Sequence, residues 1–181
     1  MRKIAISAIA AAMGFASVSA YADAPNGGLL TINGELTAQT CDVSGEGQGN
    51  NFTVTLPTLS AAAFQSAGKS GGSTGFKIAL TNCMPDTGNV RTFWEYGVNT
   101  LADGNLKNNG TATNIEVQLV DFNGGATVMD VSKSDGSQNS KTVAIASGTA
   151  SLQYAAQYYT PAGGATPGSV TTNVTYSMSY Q

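Results

Sequence analysis

Chemically reactive residues are sparse in this chain. None of its 181 residues is histidine, which excludes Ser-His-Asp triads, Cys-His dyads and nearly every familiar zinc site. Asp121 and Asp130 are acidic residues that a hydrolase would pair, but aspartates scattered near turns are ordinary turn chemistry. We therefore predict no catalytic residue, no cofactor and no metal, and an enzyme stays only a nominal alternative.

Two glycine-rich stretches resemble nucleotide sites but have the wrong spacing. Gly68-Lys69-Ser70 matches the end of a phosphate-binding loop, yet Ala63 stands where that loop needs glycine, and Gly71-Gly72 follows where it needs a helix. The stretch 45–49 lacks the strand-to-helix setting of a dinucleotide site. We predict a flexible loop for the first stretch and a mobile connection between strands for the second.

The N-terminus and the cysteines indicate export. Met1-Arg2-Lys3 precedes a short apolar stretch and then small residues, as in a secretory signal peptide. Cleavage is possible after Ala20, Ala22 or Ala24, and we favour Ala22, because the last site would leave a proline first. Cys41 and Cys83 lie downstream, so in an oxidising compartment they should form a disulfide. Closing that loop stabilises the fold by about 4 kcal/mol on the chain-entropy model.

Composition limits the partners. The net charge is −3, and no basic surface is evident, so the chain is not expected to bind nucleic acid; proteins or sugars are the expected partners. The lone tryptophan, Trp94, is predicted to lie in the core or on the sheet surface. The alternative is a sugar-stacking platform on a secreted single-domain carbohydrate-binding β-sandwich, with Trp94 and the tyrosines as its binding face.

From Leu29 onward the hydrophobic period is two, which is typical of strands. Several runs have one apolar face: Phe76, Ile78 and Leu80; Ile115, Val117 and Leu119; Leu152, Tyr154 and Tyr158. A single short helical piece is expected at Ser60 to Ala67, with Ser60 as N-cap and Gly68 as stop. Half-apolar sheets must cover each other, so we predict an all-β sandwich of immunoglobulin type. The predicted strands are Leu29–Val43, Phe52–Leu56, Gly75–Cys83, Val90–Tyr96, Asn114–Asp121, Lys141–Ala146, Ser151–Tyr159 and Ser169–Tyr180.

The two ends of the mature chain have distinctive alternation. In the opening strand the even-numbered residues, which share one face, are Asn26, Gly28, Leu30 and Ile32, and two of them are apolar. In the last strand one face carries Val170, Thr172, Val174, Tyr176, Met178 and Tyr180, and Gln181 ends the chain. A terminal strand with an open side is an aggregation hazard unless something covers it.

With these features the chain resembles the major pilin of type 1 fimbriae, in the chaperone–usher family. The resembling stretches are "NGGLLTINGELTAQTC", "GFKIALTNC", "TATNIEVQLVD" followed by "GGA", and "AAQYYTPAGGATPG" leading into "VTYSMSYQ". They follow one another in order over essentially the whole mature chain.

The resemblance implies an incomplete immunoglobulin-like sandwich, exported through the periplasm to a cell-surface fimbrium. A groove beside the terminal strand would be filled first by a periplasmic chaperone and then, at the outer-membrane usher, by the N-terminal extension of the next identical or related subunit. A tip adhesin would be an indirect partner, and the fibre would support cell adhesion.

The resemblance also implies roles for individual residues. Asn26, Gly28, Leu30 and Ile32 would form the donor strand; Gly28 would leave a shallow spot where backbones approach closely. Val174, Tyr176, Met178, Tyr180 and Gln181 would form the chaperone and groove strand. Cys41 and Cys83 would hold the first strand near the third.

We expect three segments: a signal peptide at 1–22, a donor-strand extension at 23–35 and a pilin β-sandwich domain at 36–181. A minor or adaptor subunit is the nearest alternative function.

Overall fold

The computed structural model describes residues 30–34, 36 and 40–181. The chain divides into two compact units, Met1–Glu35 and Leu36–Gln181. Within the described residues, no helix has the length and apolar character needed to cross a membrane. The described strands are β1 Thr40–Gly45, β2 Lys69–Met84, β3 Gly88–Trp94, β4 Leu106–Lys107, β5 Glu116–Asp121, β6 Thr127–Val128, β7 Val143–Ile145, β8 Ala150–Thr160 and β9 Tyr176–Tyr180, with a 3₁₀ turn at Ala61–Phe64.

Two antiparallel sheets form the domain. The larger has the order β1-β2-β8-β5-β4, with β6 paired to β5, and the smaller has the order β7-β3-β9. Among the described strands β9 pairs with β3 alone and is therefore an edge strand of the smaller sheet. The all-β sandwich prediction is confirmed.

The core lies between the inner faces of the sheets. The faces predicted from alternation are buried: Ile78 and Leu80 on β2 and Leu152 on β8 are fully buried, and Val117 and Leu119 on β5 are nearly so. Val90, Trp94 and Ile145 of the smaller sheet pack into the same cluster. Period-two patterning identified these faces correctly because each strand has one side against the core.

The predicted disulfide is present. Cys41 on β1 and Cys83 on β2 are bonded, 42 residues apart in sequence. The bond holds the start of β1 against the end of β2, next to the pairing of Thr40 with Met84.

The helical prediction is confirmed as one short turn. Ser60 caps it, its Oγ accepting from the Ala62 N–H at 3.3 Å, and the turn spans Ala61–Phe64. Phe64 is its buried residue and joins a second, smaller apolar cluster with Ala112, Ile115 and Ala165.

The loop predicted at Gly68-Lys69-Ser70 is wrong. Lys69 and Ser70 open the longest strand, β2, and pair with Thr160 and Tyr159 of β8. Glycines are poor strand formers when considered locally, but Gly72 lies so close to the rings and methyl groups of Tyr158 and Leu59 that a Cβ would come within about 3 Å of both. Tertiary packing therefore explains the glycines.

The connection at 45–49 is a turn, closed by the hydrogen bond from the Gly45 N–H to the Gly49 carbonyl oxygen at 2.7 Å.

Three predicted strands are shorter in the structure or have no ladder. Residues 30–34 and 36 are outside any strand, and the first strand begins at Thr40. Among the described residues Phe52–Leu56 has no strand partner, and of the last predicted strand Tyr176–Tyr180 forms a ladder, while residues 169–175 make single backbone hydrogen bonds to residues 95–112. The strands of two residues, β4 and β6, carry no periodic signal and were not predicted.

A buried glutamine fixes the end of β3. The Gln138 side chain is 1% exposed; its Oε1 accepts from the Trp94 N–H at 2.9 Å and its Nε2 donates to the Trp94 carbonyl at 2.7 Å. Nε2 also reaches the carbonyl oxygens of Val131 and Lys133. The amide therefore takes the place of a neighbouring strand at a position that β7 does not reach.

Candidate functional site

The candidate site is a groove with two lips. Lip 1 is residues 51–60, before and through the start of the 3₁₀ turn. Phe52, Val54 and Leu56 are half-buried against the main core, and the residues between them are exposed. This alternation is that of an extended strand with one face on the core.

The backbone of lip 1 has almost no partners. Among the described residues Thr53 and Ser60 are exceptions: the Thr53 N–H donates to Gln48 Oε1 at 3.3 Å, the Thr53 carbonyl accepts from Gln48 Nε2 at 3.2 Å, and the Ser60 carbonyl accepts from the Ala63 N–H at 3.0 Å. Within the described residues, no backbone hydrogen bond is made by Phe52 or by residues 54–57. Lip 1 therefore has the conformation and burial pattern of a strand, but it forms no ladder of backbone hydrogen bonds with another described strand.

Lip 2 is residues 169–181, which include β9. Its odd residues face residues 89–112: the carbonyls of Ser169, Thr171 and Thr175 accept from the N–H groups of Ala112, Asn109 and Glu95 at 3.0, 2.8 and 2.8 Å, and Gln181 exchanges two bonds with Asn89. Successive peptide groups in a strand point to opposite sides. The even residues therefore direct their N–H and C=O groups away from β3.

The even residues of lip 2 also carry its apolar side chains. Half-buried residues on this face are Val170, Thr172, Val174, Tyr176, Met178 and Tyr180, and all except Thr172 pack against the main core. In the described part of the chain their backbone N–H groups have no hydrogen-bond partner. Lip 2 thus offers an apolar row and an unpaired backbone edge together.

Aromatic rings form the floor between the lips. Trp94, 2% exposed, packs edge-on against Tyr154 with ring centres 5.4 Å apart and lies 5.8 Å from the ring of Tyr176. Phe76 lies 5.7 Å from Phe52 and 5.8 Å from Tyr154. Burial of Trp94 confirms the core prediction and removes this ring from the sugar-stacking alternative.

The lips meet at one point. The rings of Phe52 and Tyr176 are 5.8 Å apart, edge to face, and the Tyr176 hydroxyl donates to the Asn50 carbonyl at 2.7 Å. Partial burial here raises the pKa of the Tyr176 phenol above its ordinary value, and burial does the same for Tyr180. Both phenols therefore remain uncharged donors.

A cavity of about 630 Å³ continues the groove beyond this contact. It lies between the end of lip 1 and the start of lip 2, above the second apolar cluster, where the Phe64 and Tyr158 ring centres are 5.9 Å apart. Its lining is Thr58, Leu59, Ser60, Ala61, Phe64, Ala112, Ile115, Tyr158, Ala165, Thr166, Pro167, Gly168, Ser169 and Val170.

A polar cluster holds the C-terminus in place. Arg91 Nε donates to Asp135 Oδ1 at 2.8 Å, and the Ser179 hydroxyl donates to Asp135 Oδ2 at 2.6 Å. In the amide orientation that satisfies both groups, Gln181 Oε1 accepts from Nη1 and Nη2 of Arg91 at 2.6 and 2.8 Å. The hydrogen bond from Arg91 lowers the pKa of Asp135, and that from Ser179 adds to the effect.

Sequence reasoning did not single out Arg91 and Asp135. They are 44 residues apart, and neither belongs to a motif. Only the path of the loop after β6, which brings Asp135 to both β3 and β9, places them together.

The structure locates the other predicted residues as follows. Val174 lies just before β9, Tyr176, Met178 and Tyr180 share its half-buried face, and Gln181 is the exposed end. Leu30 and Ile32 are 80% and 81% exposed; Asn26 and Gly28 lie outside the described residues.

The acidic pair has structural roles. Asp121 is fully buried, and its carboxylate accepts from the backbone N–H groups of Asn123 and Lys141 at 2.6 and 2.8 Å. Asp130 accepts from the Ser132 N–H at 3.1 Å. Among the described residues, no group of three Cys, Asp or Glu side chains is arranged to hold a metal ion.

Comparison with known proteins gives consistent matches. The model of the family described as FimA, type-1 fimbrial protein A, matches residues 56–181. The F17 fimbrial protein of Escherichia coli is 37% identical over 173 residues, covering 92% of this chain and 94% of that protein. The major fimbrial subunit SMF-1 of Stenotrophomonas maltophilia (strain K279a) is 38% identical over 159 residues, covering 84% and 92%.

A solved structure has the same fold. The P pilus rod subunit PapA superposes with a TM-score of 0.56 at 18% identity, covering 78% of this chain and 99% of that chain. At this identity the similarity concerns the fold alone.

Proposed function

Because the chain belongs to the type-1 fimbrial protein family and is a structural subunit of a fimbria, we propose that it polymerises by donor-strand exchange. Residues 23–35 of one copy fill the groove of the next. The rod role is favoured over a minor or adaptor role by a relative named as a major fimbrial subunit. Abundance in purified fibres tests that preference.

The observation that carries the proposal is the pair of strand-like lips without a ladder between them. Both lips alternate half-buried and exposed residues, and both have backbone groups without a hydrogen-bond partner among the described residues. A strand placed between them pairs with an edge on each side and covers both apolar rows. This is strand addition, in which main-chain hydrogen bonds supply affinity and alternate side chains supply specificity.

The proposed donor has the complementary pattern. Leu30 and Ile32 belong to one parity and are mostly exposed, so they have apolar surface left to bury. Gly28 and Asn26 continue that parity towards the N-terminus, and Pro25 limits how far pairing extends because it has no N–H.

Before assembly, a periplasmic chaperone covers the same edge of lip 2. The Gln181 carboxylate and Tyr180 lie at the end of β9, where such a partner grips its client, and the Arg91 cluster holds the Gln181 side chain. An outer-membrane usher then exchanges the chaperone for the next donor, and a tip adhesin is connected only through the fibre. The subunit has no catalytic step in this scheme.

The decisive experiment deletes residues 23–35. The shortened subunit should bind a peptide of that sequence but form no chains, whereas the full subunit forms them. Continued polymerisation of the shortened subunit would disprove the donor assignment. The rival function, a secreted sugar-binding sandwich, requires no added strand, so equal stability of the shortened subunit in urea with and without the peptide would favour it.

A further inference from the structure

Three Asn-Gly pairs lie in the described part of the chain, at 33–34, 109–110 and 123–124. Asparagine followed by glycine is prone to a spontaneous reaction, because the glycine nitrogen reaches the asparagine side chain without hindrance from a Cβ. The reaction needs freedom at both residues: the side-chain amide must swing towards the next backbone nitrogen. Hydrogen bonds that hold either group therefore slow it.

Asn123 is held at every group. Its N–H donates to Asp121 at 2.6 Å, its Oδ1 accepts from the Gln153 N–H at 2.7 Å, and its Nδ2 donates to the Gln153 carbonyl at 3.2 Å. The amide pairs with the backbone of β8 as a strand residue would. It has little freedom to turn towards Gly124.

The pair at 109–110 is also held by hydrogen bonds, and one of them holds the glycine nitrogen, which is the attacking atom. The Gly110 N–H donates to Asn108 Oδ1 at 2.8 Å, and Asn109 Nδ2 donates to Asn99 at 2.8 Å. A Cβ on Gly110 would lie 2.1 Å from the Ser169 carbonyl oxygen. The glycine is thus packed closely against lip 2.

Asn33 and Gly34 differ from both other pairs. Both residues are exposed and outside any strand, and, apart from the residues next to it in sequence, no described residue has an atom within 4 Å of the point where a Gly34 Cβ would be. Among the described residues, no hydrogen bond to either is found.

We propose that Asn33–Gly34 is a site of spontaneous deamidation in the unassembled subunit. The deprotonated Gly34 nitrogen attacks Asn33 Cγ and forms a five-membered succinimide; the bond from Cγ to Nδ2 breaks, and ammonia leaves with the protons it requires from water. Water then opens either carbonyl of the ring, giving aspartate or isoaspartate. No oxidant or reductant is involved.

The second part of this inference rests on the proposed function. Residue 34 is within the proposed donor extension, so filling a groove holds the backbone of 33–34 extended between two lips. In that state the Gly34 nitrogen cannot approach Asn33 Cγ. Deamidation at Asn33 then marks subunits that remained unassembled and leaves assembled ones unmodified.

The expected deamidation rates follow from the number of hydrogen bonds that must open before each Asn-Gly pair can react. Each hydrogen bond slows a local opening by roughly two- to tenfold. Asn33 in the free subunit should therefore react about tenfold or more faster than Asn109 and Asn123, and assembly should slow Asn33 by a similar factor.

The test uses the full mature chain in two forms, refolded subunit and fibres sheared from cells that express it with its assembly machinery. Both are incubated at mildly alkaline pH, digested and analysed by mass spectrometry for deamidation at each Asn-Gly pair. Asn33→Gln, which forms the ring poorly, and Gly34→Ala, which hinders attack, should suppress the reaction at this site. The pairs at 109–110 and 123–124 are internal controls.

The modification site and its protection by assembly are contradicted by different results. Equal rates at the three pairs in the refolded subunit overturn the modification site. Rapid reaction of Asn33 in fibres overturns protection by assembly. Failure of the proposed function is seen separately, by electron microscopy, as fibres that still form after deletion of residues 23–35.

Discussion

Ile32→Ala is the most informative change to the proposed donor strand. It removes three carbon atoms, each worth about 0.8 kcal/mol on full burial. The Ile32 side chain is 81% exposed, so nearly all of that gain, about 2 kcal/mol, is still available when the groove fills. A groove that cannot collapse around the smaller side chain raises the loss towards about 4 kcal/mol.

The assay is binding of residues 23–35, as a synthetic peptide, to the subunit lacking them. A loss of about 2 kcal/mol raises the dissociation constant by roughly 30-fold. Thr31→Ala is the matched control, because Thr31 belongs to the opposite parity and faces away from the acceptor's core. Its effect should stay below about threefold.

The two variants together test which alternate residues of the proposed donor strand face the acceptor's core. Equal losses from Ile32→Ala and Thr31→Ala, or a loss confined to Thr31→Ala, would show that the donor face is the other parity or that this segment is not the donor. An unchanged affinity for both would remove residues 23–35 from the mechanism.

Three further predictions concern the acceptor, each measured on the subunit complemented with donor peptide unless stated. Gln138→Leu leaves the buried N–H and C=O at the end of β3 unpaired and should cost about 3 kcal/mol of unfolding free energy; a change below about 0.5 kcal/mol in a urea titration would contradict this role. Asp135→Asn should cost about 1 kcal/mol at neutral pH by removing the ion pair with Arg91. Because the folded-state pKa of Asp135 is lowered, this stabilisation is present above the ordinary aspartate pKa and is lost as the pH falls through the folded-state pKa; a cost that persists at acid pH would refute the charge explanation. Tyr176→Phe, in the uncomplemented subunit, removes the hydroxyl bond to the Asn50 carbonyl that ties the lips together and should speed peptide insertion by roughly two- to tenfold; slower insertion in stopped-flow measurements would argue that this bond holds the groove open.

Much of the core could be predicted from alternation where, as on β2, one face of the strand is buried and the other is exposed. Phe76, Ile78 and Leu80 are buried on β2 as predicted, and the disulfide followed from there being two cysteines and an export signal. These inferences need only local spacing or counting, which sequence contains in full.

The start of β2 was missed for a non-local reason. Local propensity favours a loop at 68–72, since glycine is depleted in strands. The glycines are required by side chains distant in sequence, Leu59 and Tyr158, that pack onto Gly72. The same applies to Arg91 and Asp135, which meet only because the connection from β6 of the larger sheet to β7 of the smaller sheet brings Asp135 to β3.

The strands that have no ladder are the more instructive disagreement. Phe52–Leu56 and the first half of the last predicted strand have the predicted alternation and the predicted burial, yet neither has a partner on the groove side. The sequence pattern reports which face meets the core, and it does not report whether a neighbouring strand belongs to the same molecule.

The width of the gap explains why the subunit does not close the groove itself. Adjacent strands lie about 4.8 Å apart, so two edges separated by one missing strand are about 9 to 10 Å apart. Aromatic side chains can span that distance, and the one contact between the lips is indeed made by the rings of Phe52 and Tyr176, 5.8 Å apart. Val54 and Val174, one on each lip, both pack against the main core. Their faces remain half-buried, and a backbone with side chains on alternate sides is the occupant that satisfies both edges at once.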